Sequence, residues 1–475
     1  MQMSEKDIQK LVEQVLANIT GQASSEHVSH SASEIALGDG VFTTVDEAVA
    51  ASKIAESKMR HVSLESRRKM IQAMREISIQ HAEELAKIAV EETGLGRVED
   101  KIAKNLLAAN KTPGVEDLVS TTYTGDDGMT LVEYAPFGIM GSITPSTNPA
   151  ATIINNSISL VAAGNVVVYN PHPSAKKVSL HTLKLLNKAI VSAGGPENVL
   201  TAVASPNLET SKQVMEHPAI RVLVVTGGGI VVKAAMKTGK KVIAAGPGNP
   251  PVVVDETADL VKAGRDIVSG ASFDNNVLCT AEKEVFVVDK VANTLKQEMI
   301  KNGAVELKGF ELEKLLKVIL VEKDGKFYPN RDYIGKNAEV LLAAIGKKVD
   351  SSVRLIITET SFDHPLIWTE MLMPILPIVK VPNVDTGIEM AVKAEKGNRH
   401  TAIMHSQNIT NLTKMAREIQ ATIFVKNGPS YSGLGFNAEG FTTLTIAGPT
   451  GEGLTSARTF SRQRRCVLVD GFRIV

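Results

Sequence analysis

The sequence is poor in cysteine and has no excess of charge of either sign, and each lack excludes a class of protein. Two cysteines in 475 residues, Cys279 and Cys466, exclude a disulfide-stapled fold and a cysteine-rich metal site. The 52 basic and 52 acidic residues cancel, which leaves no electrostatic footprint for nucleic acid or an anionic membrane. No apolar run approaches the roughly 18–20 residues of a membrane span, and no signal peptide opens the chain. We therefore expect a globular protein in a reducing, cytosol-like compartment, where a free thiol survives.

The first forty residues form a unit of their own. Apolar residues recur from Ile8 to Ile19 at helical spacing, which predicts an amphipathic helix over residues 1–20. A Ser-rich stretch without a periodic apolar face follows and predicts a flexible linker over residues 21–40. Such a helix either docks on a partner or packs back on its own domain. The pattern alone leaves both open.

The remaining chain predicts an α/β protein. Helical patterns run from 44 to 60, 63 to 92 and 97 to 109, and strand-like and helix-like segments alternate from residue 138 onward. Strand-like runs such as Val-Leu-Val-Val at 222–225 are apolar on both faces. Such runs are typical of parallel strands covered by helices on both sides, which predicts a doubly wound domain. A second α/β set follows from Ala258 to about Val425, and the tail from Thr442 is β-like.

Cys279 lies in a segment of polar and small residues, from Ser272 to Glu284, between a helical and a strand-like pattern. Asp-Asn-Asn precedes it and Thr-Ala-Glu follows it, which is typical of a nucleophile presented on a loop. Free cysteines are, however, mostly inert and buried. The residues themselves leave the catalytic and the structural interpretation open.

Two loops fall where α/β sheets bind ligands. Thr226-Gly227-Gly228-Gly229 follows a strand and opens a helix, a place that suits an anion but equally a tight turn. Thr144 to Pro149 follows another strand, and there Asn148 before Pro149 favours a helix N-cap over an oxyanion donor. His400 and His405 are interpreted as strand-edge residues rather than as bases.

Taken together, these segments resemble the aldehyde dehydrogenase superfamily, and they occur in that family's order. The resemblance covers the chain from about Val41 to the C-terminus. It is carried by Glu133–Gly138, Pro145–Pro149, Asn170–Pro173, Thr226–Gly228, the cysteine segment and Glu370–Pro374. The segments Ser272–Glu284, Glu370–Pro377 and Pro449–Phe460 more closely resemble the CoA-acylating branch, the propionaldehyde and acetaldehyde dehydrogenases of bacterial microcompartments.

The resemblance implies an aldehyde dehydrogenase-like fold with two doubly wound α/β domains and a β oligomerisation arm. The dinucleotide-binding domain would take residues 41–120 and 137–255, the catalytic cysteine domain 256–440, and the arm 121–136 and 441–475. The helix over 1–20 would be a targeting helix that binds a microcompartment shell or cargo protein. The protein would then lie in the cytoplasm, inside a microcompartment, as a homo-oligomer, either a dimer or a tetramer.

The resemblance also implies roles for single residues. Cys279 would be the nucleophile, and the Asn148 amide with the Cys279 backbone N–H would form the oxyanion hole. NAD would be the cofactor and coenzyme A a co-substrate, with no metal. Glu370 would bind the nicotinamide ribose. The other cofactor-binding residues would be Thr144, Pro145, Pro171, Thr226, Gly227, Gly228 and Leu372.

Two departures from the hydrolytic members refine the function. Those members carry a Glu that activates water, whereas the matching stretch here reads Ala244-Ala245-Gly246-Pro247-Gly248. Losing a general base costs roughly a hundredfold or more in rate, which favours release of the acyl group to CoA over release to water. The substrate would be a short-chain aldehyde, propanal in the first place. The alternatives are a hydrolytic enzyme and a non-catalytic scaffold. At Asn170 the hydrolytic members carry a Lys, which leaves NAD versus NADP open.

Overall fold

The computed structural model describes residues 37–475, so the predicted targeting helix and the predicted linker up to residue 36 lie outside the described residues. The helices are α1 (Val45–Met59), α2 (Leu64–Gln80), α3 (Ala82–Thr93), α4 (Val98–Lys111), α5 (Pro149–Ala162), α6 (Lys176–Ser192), α7 (Leu208–Glu216), α8 (Gly229–Met236), α9 (Leu260–Ser272), α10 (Asp289–Lys301), α11 (Gly309–Ile319), α12 (Ala338–Ala343), α13 (Pro365–Trp368), α14 (Val384–Glu395) and α15 (Ile409–Ile419).

Within residues 37–475 the strands divide into two large parallel sheets, a three-stranded antiparallel sheet and two small two-stranded sheets. They are β1 (Val41–Phe42), β2 (Thr121–Gly125), β3 (Gly128–Pro136), β4 (Ile139–Thr144), β5 (Val166–Pro171), β6 (Leu200–Val203), β7 (Val222–Thr226), β8 (Lys241–Ala245), β9 (Pro251–Val254), β10 (Glu284–Val288), β11 (Ala304–Glu306), β12 (Leu320–Lys323), β13 (Lys326–Pro329), β14 (Leu355–Glu359), β15 (Ile375–Val381), β16 (Thr401–His405), β17 (Ile423–Lys426), β18 (Ile446–Ala447), β19 (Gly453–Leu454) and β20 (Ser461–Val469).

The first parallel sheet has the order β1-β6-β5-β4-β7-β8 in the part of the chain that the structure describes. Its inner strands are buried on both faces, which is why they read as runs of valine. Chain order runs outward from β4 through β5 to β6 on one side and through β7 to β8 on the other. The crevice between the carboxyl ends of β4 and β7 is therefore a topological switch point, the place where doubly wound sheets bind ligands.

The second parallel sheet, again within residues 37–475, has the order β11-β14-β15-β10-β9-β16-β17. Its strands β9 and β10 pair in parallel, with Glu284 opposite Pro251, and helix α9 and the cysteine segment connect them. Apolar clusters cover both faces of this sheet. Because the cysteine segment enters β10 from its amino end, Cys279 lies at the amino edge of this sheet. The carboxyl edge, where open α/β sheets usually bind ligands, is on the opposite side.

Strands β2, β3 and β20 form a three-stranded antiparallel sheet, in which Ser461 lies opposite Pro136 and Val469 opposite Gly128. Of the residues predicted for the arm, 121–125, 128–136 and 461–469 form this sheet. Residues 442–456 lie instead beside the first sheet, where Thr445 bonds Thr226 (2.8 Å, Oγ1 to Oγ1) and the Thr450 hydroxyl accepts from the Ala244 N–H (3.0 Å).

The N-terminal helices differ in one respect from the sequence pattern. The continuous helix predicted over 63–92 is two helices, α2 and α3, which meet at His81. Both bury apolar stripes, and α2 packs on α6. Helix α4 is unusual because it buries Asp100, Lys101 and Lys104 as well as apolar residues. No helix among residues 37–475 is both long enough and apolar enough to cross a membrane.

Candidate active site

The segment before Cys279 is held in an uncommon backbone conformation. Asp274, Asn275 and Asn276 have φ angles of 47°, 55° and 66°, the left-handed region that Asn and Asp tolerate better than most residues. Their side chains are buried. Asn275 Nδ2 donates to the Gly335 carbonyl (2.8 Å), and Asn276 Nδ2 donates to the carbonyls of Ala271 and Glu282 (2.8 and 2.9 Å). The polar residues that suggested an exposed loop are therefore buried. Their hydrogen bonds fix the backbone that carries Cys279.

Cys279 is half-buried as a residue and follows this buried segment. Burial, together with the nearby Glu370 carboxylate, raises the pKa of Cys279 to about 11, although Lys283 and Lys104 act in the opposite direction. Lys283 is itself buried and donates to the backbone and side-chain oxygens of Asn276 (2.9 and 2.6 Å). The thiol therefore lies between one buried carboxylate and two buried ammonium groups, and it is protonated at neutral pH in the free protein.

Gly248 packs directly against the backbone of Cys279. A Cβ at this position would lie 2.7 Å from the Cys279 carbonyl oxygen and 3.1 Å from Cγ of His400. His400 directly precedes strand β16, as the strand-edge interpretation expects, and its imidazole is also a near neighbour of the cysteine and 1% exposed. Its Nδ1 bonds the Thr401 hydroxyl (2.9 Å), whereas Nε2 has no partner among the described residues. Burial lowers the pKa of His400 to about 4, so the ring is neutral at pH 7.

Asn148 stands at the N-cap position of α5, but its side chain does not cap the helix. The structure thus confirms the N-cap position that the sequence pattern favoured for Asn148, but without a side-chain capping bond. The Oδ1 atom accepts a hydrogen bond from Lys104, and Nδ2 donates to the Thr147 hydroxyl (3.2 Å). Through Lys104 and Asp274 the amide is connected to the cysteine segment. Lys104 and Asp274 were missed by sequence reasoning, although charged residues in the buried stripe of an amphipathic helix are a detectable signal.

Four of the predicted cofactor residues lie along the carboxyl edge of the first sheet. Thr144 ends β4 opposite Pro171 at the end of β5, Pro145 follows Thr144, and Thr226 ends β7. The Thr144 hydroxyl is buried without a partner in the described chain, so it is free to bond a ligand. The Thr226 hydroxyl is already bonded to Thr445. This edge is the predicted switch-point crevice.

The glycines after β7 leave space where a ligand can approach. A Cβ at Gly228 or Gly229 would meet nothing within 4 Å, and one at Gly227 only Val231 at 3.9 Å. Gly228 is the N-cap of α8 and offers no side-chain cap, so the first N–H groups of this helix lack a side-chain acceptor from that position. With the unpartnered Thr144 hydroxyl, this cradle fits the phosphates of a dinucleotide.

Glu370 and Leu372 lie on the cysteine side. Glu370 is close enough to raise the pKa of the Cys279 thiol, and burial raises its own pKa while Lys283 and Lys396 lower it. Leu372 has a left-handed backbone (φ 54°), and its carbonyl accepts from the Gly335 N–H (2.9 Å). A carboxylate beside the thiol suits a ribose hydroxyl that must lie next to the nucleophile.

The turn that follows β8 carries no carboxylate. Ala245 ends the strand, and a Cβ at Gly246 would lie 2.7 Å from Pro449, so the 449–450 segment closes over this turn. Further along the same segment, Asn249 is buried and donates to Glu284 (3.2 Å) and to the carbonyls of Ile367 and Ala394 (3.0 and 2.9 Å). In the described chain, no group of three His, Cys, Asp or Glu side chains is placed to hold a metal ion.

Comparison with known proteins agrees with this arrangement. Residues 35–441 match the aldehyde dehydrogenase family. The chain belongs to the aldehyde dehydrogenase family. It is similar to the acetylating acetaldehyde dehydrogenase EutE of Escherichia coli, with 53% identity over 476 residues that cover 100% of both chains. The predicted membership and the α/β aldehyde dehydrogenase-like fold are therefore confirmed.

Solved structures of this family are similar over nearly the whole chain. A propionaldehyde dehydrogenase of Rhodopseudomonas palustris, with bound CoA and an acylated cysteine, has 50% identity and a TM-score of 0.89 over 91% of this chain and 99% of that one. A propionaldehyde dehydrogenase from the fucose utilisation microcompartment of Clostridium phytofermentans has 48% identity and a TM-score of 0.90 over 92% of this chain and 100% of that one.

Proposed function

We propose that this protein is a CoA-acylating aldehyde dehydrogenase, which converts a short-chain aldehyde, CoA and NAD to acyl-CoA and NADH through a thioester on Cys279. The single observation that carries the acylating assignment is the pairing of a loop thiol with a turn, residues 245–250, that holds no carboxylate to activate water. The names of the relatives support the same activity, since they are acetylating or bind CoA.

The first half of the reaction belongs to Cys279 and Asn148. The thiolate attacks the aldehyde carbonyl, and the oxygen that becomes negative is held by Asn148 Nδ2 and the backbone N–H of Cys279. One such donor typically contributes about 3–4 kcal/mol in the transition state. A bound NAD supplies the hydride acceptor that turns the adduct into the Cys279 thioester. Because the thiol pKa is raised to about 11, ionisation requires a change in its surroundings when the substrates bind.

The second half transfers the acyl group from Cys279 to CoA. A CoA thiol has a pKa near about 8.5 and supplies some thiolate at neutral pH. We infer that His400 accepts the proton of this thiol. Its ring is neutral at pH 7, its Nδ1 bonds Thr401, and its buried Nε2 has no partner among the described residues. The ring and the Cys279 carbonyl both pack against Gly248. The strand-edge interpretation of His400 does not account for an unpartnered buried nitrogen at this place.

The acylating reaction is tested by NADH formation from propanal with and without CoA. We expect little steady turnover without CoA and full turnover with it, in ping-pong kinetics. Equal rates in both conditions would instead support the hydrolytic alternative. Cys279→Ala should abolish turnover, with Cys466→Ala on the exposed strand β20 as the matched control. Substantial turnover by the first variant would reject the nucleophile and revive the scaffold alternative.

The preference for short aldehydes, with propanal first, stays part of this proposal. Phe273, Tyr431 and Phe436 form an aromatic cluster with ring centroids 5.2–5.8 Å apart, in the same apolar core region that Cys279 contacts. We infer that these rings bound the acyl site and leave room for a short chain. A panel from acetaldehyde to hexanal, assayed with CoA and NAD, is expected to give its highest kcat/KM at two or three carbons. A maximum at longer chains would contradict it.

Encapsulation and assembly complete the proposal. Residues 1–20 would bind a microcompartment shell or cargo protein by their apolar stripe, a helix-in-groove mode. Deleting them should abolish co-fractionation with shells while leaving kcat unchanged, and unchanged co-fractionation would reject the role.

Strand β20 is a sheet edge with exposed Val467, Leu468 and Val469, which suits pairing with a second copy. Removing residues 461–475 should lower the sedimentation mass, and an unchanged mass would reject the arm.

A further inference from the structure

Helix α4 extends two buried lysines towards the catalytic centre, and the mechanism above uses neither of them. Lys101 and Lys104 are each 3% exposed, and they lie one turn apart on the same helix face. Both ammonium groups form ion pairs with Asp274, which is 0% exposed. Burying two lysines and a carboxylate is costly unless every group is paired, so this cluster calls for a functional explanation.

The contacts of the two lysines are different. Lys101 donates to the Thr147 carbonyl (3.0 Å), which belongs to the backbone before α5. Lys104 donates to the side-chain oxygen Oδ1 of Asn148. One lysine therefore fixes the backbone next to the catalytic amide, and the other fixes the amide itself.

The chemistry of the lysine determines which way the amide faces. An ammonium group has three donors and no acceptor, so the atom of Asn148 that meets Lys104 must be the oxygen. The NH₂ group is then turned to the opposite side, where one N–H is directed to the Thr147 hydroxyl (3.2 Å) and the other remains for a ligand. If the amide were flipped, NH₂ would face a buried cation, which removes a hydrogen bond and adds repulsion.

Asp274 holds Lys104 in place. Its Oδ2 accepts from both lysines, and its Oδ1 accepts from the Arg97 backbone N–H (2.7 Å). A Cβ at Gly96 would lie 2.0 Å from Oδ1 of Asp274, so the chain approaches this carboxylate as closely as only glycine allows. Asp274 also begins the left-handed segment before Cys279. The same carboxylate thus links the donor amide and the nucleophile loop.

We propose that Lys104 is a positioning residue for the oxyanion donor, because it locks the Asn148 amide with its N–H turned towards the reacting carbonyl, and that Asp274 keeps this lock in register with Cys279. The inference rests on the proposed role of Asn148. It goes further, since it assigns the orientation of the amide to a residue that does not touch the substrate. It predicts a defect in kcat, at an aldehyde KM close to that of the unmodified enzyme.

A double-mutant cycle between Lys104 and Asn148 tests this on the full-length enzyme. Lys104→Met keeps the length of the side chain and removes the donor. We expect it to lower kcat for aldehyde oxidation roughly 10- to 100-fold, somewhat less than Asn148→Ala, whose loss is about 10²–10³-fold. In the Asn148→Ala background the same lysine change should have little further effect, because the amide that it positions is gone.

Three results would overturn the inference. The first is an equal loss from Lys104→Met in both backgrounds, which would mark a purely structural lysine. The second is an equal loss from Lys101→Met, the matched control that shares Asp274 but does not contact the amide. The third is an aldehyde KM that rises while kcat is unchanged. If Asn148→Ala alone leaves kcat unchanged, the proposed oxyanion role itself fails, which is a separate outcome.

A folding failure does not end the test. Lys104→Met leaves Asp274 with Lys101 as its remaining cation, so thermal unfolding of each variant is measured first. If the methionine variant does not fold, the cycle is run with Lys104→Gln, which is neutral and shorter but can satisfy Asp274 with an N–H. Equal losses in the two backgrounds would reject the inference with this variant as well.

Discussion

Replacing Gly248 by Ala is the sharpest test of how closely the cysteine backbone must be placed. The new Cβ would lie 2.7 Å from the Cys279 carbonyl oxygen, and ordinary contact begins at 3.4 Å, so the two must separate by 3.4 − 2.7 = 0.7 Å. The Cγ atom of His400, at 3.1 Å, would be a second contact tighter than an ordinary one. Gly248 does not have a left-handed φ, so alanine is not excluded by its own backbone.

The displaced atom belongs to Cys279, the proposed nucleophile, whose backbone N–H is also a proposed oxyanion donor. A misplacement of about 1 Å can cost about 10²-fold in rate, so a shift of 0.7 Å should lower kcat roughly 10- to 100-fold. Overpacking of this kind typically costs about 1–3 kcal/mol of stability, which leaves most of the protein folded at 25 °C.

The assay follows NADH formation from propanal with saturating CoA and NAD, alongside thermal unfolding. Gly125→Ala is the matched control, because a Cβ there meets nothing within 4 Å and its φ is not left-handed. We expect the control to keep its kcat within about twofold. If Gly248→Ala also keeps kcat within twofold while it folds normally, the tight coupling of Gly248, Cys279 and His400 is refuted.

Three further predictions follow from the electrostatics of the site. Alkylation of Cys279 by iodoacetamide should speed up about tenfold per pH unit from pH 7 to 9, because burial raises the pKa of the thiol to about 11. Glu370→Gln should speed up the alkylation at fixed pH. A plateau of the alkylation rate near pH 8 would contradict this. His400→Asn should slow acyl transfer to CoA at least tenfold with the first hydride-transfer burst intact, and loss of the burst would contradict its role as the CoA base. Burial raises the pKa of Glu282 to about 7 from 4.5, so the stability that it contributes is complete below pH 4.5 and is lost as the pH rises through 7. Glu282→Gln should flatten this part of the stability profile, measured by urea unfolding, and an unchanged slope would exclude Glu282 as its source.

Helix and strand patterns predicted most elements, because the spacing of apolar residues follows from which face of an element is buried. The valine runs at 166–168 and 222–225 became inner parallel strands, as expected for segments that are buried on both faces. The break at His81 was missed because the apolar pattern continues through it, and only the packing of α2 and α3 ends one helix and begins the next. The segment 442–456 was assigned to the arm because short β-like stretches carry no information about which sheet they join.

In the candidate site, too, local patterns predicted some residues, whereas others depend on tertiary packing. Cys279, Asn148 and Glu370 are proposed as site residues from their motifs, and Gly227 and Gly228 from their place between a strand and a helix. His400 was set aside because a histidine at a strand end has no distinctive pattern, and only the approach of β9 and β16 brings it beside Gly248. The buried lysines of α4 were not identified, since on a helix rich in charge a lysine is usually exposed.

By itself, the sequence determined the α/β class, the family and the thiol that carries the chemistry, since these depend on residue type and local order. The tertiary structure decided what surrounds that thiol. Only folding brings Asp274, Lys104 and Asn148 together across about 170 residues of chain, and only folding makes the polar loop a buried one. Desolvation then sets the pKa values, because the cost of a charge depends on the atoms around it, which are remote in the sequence.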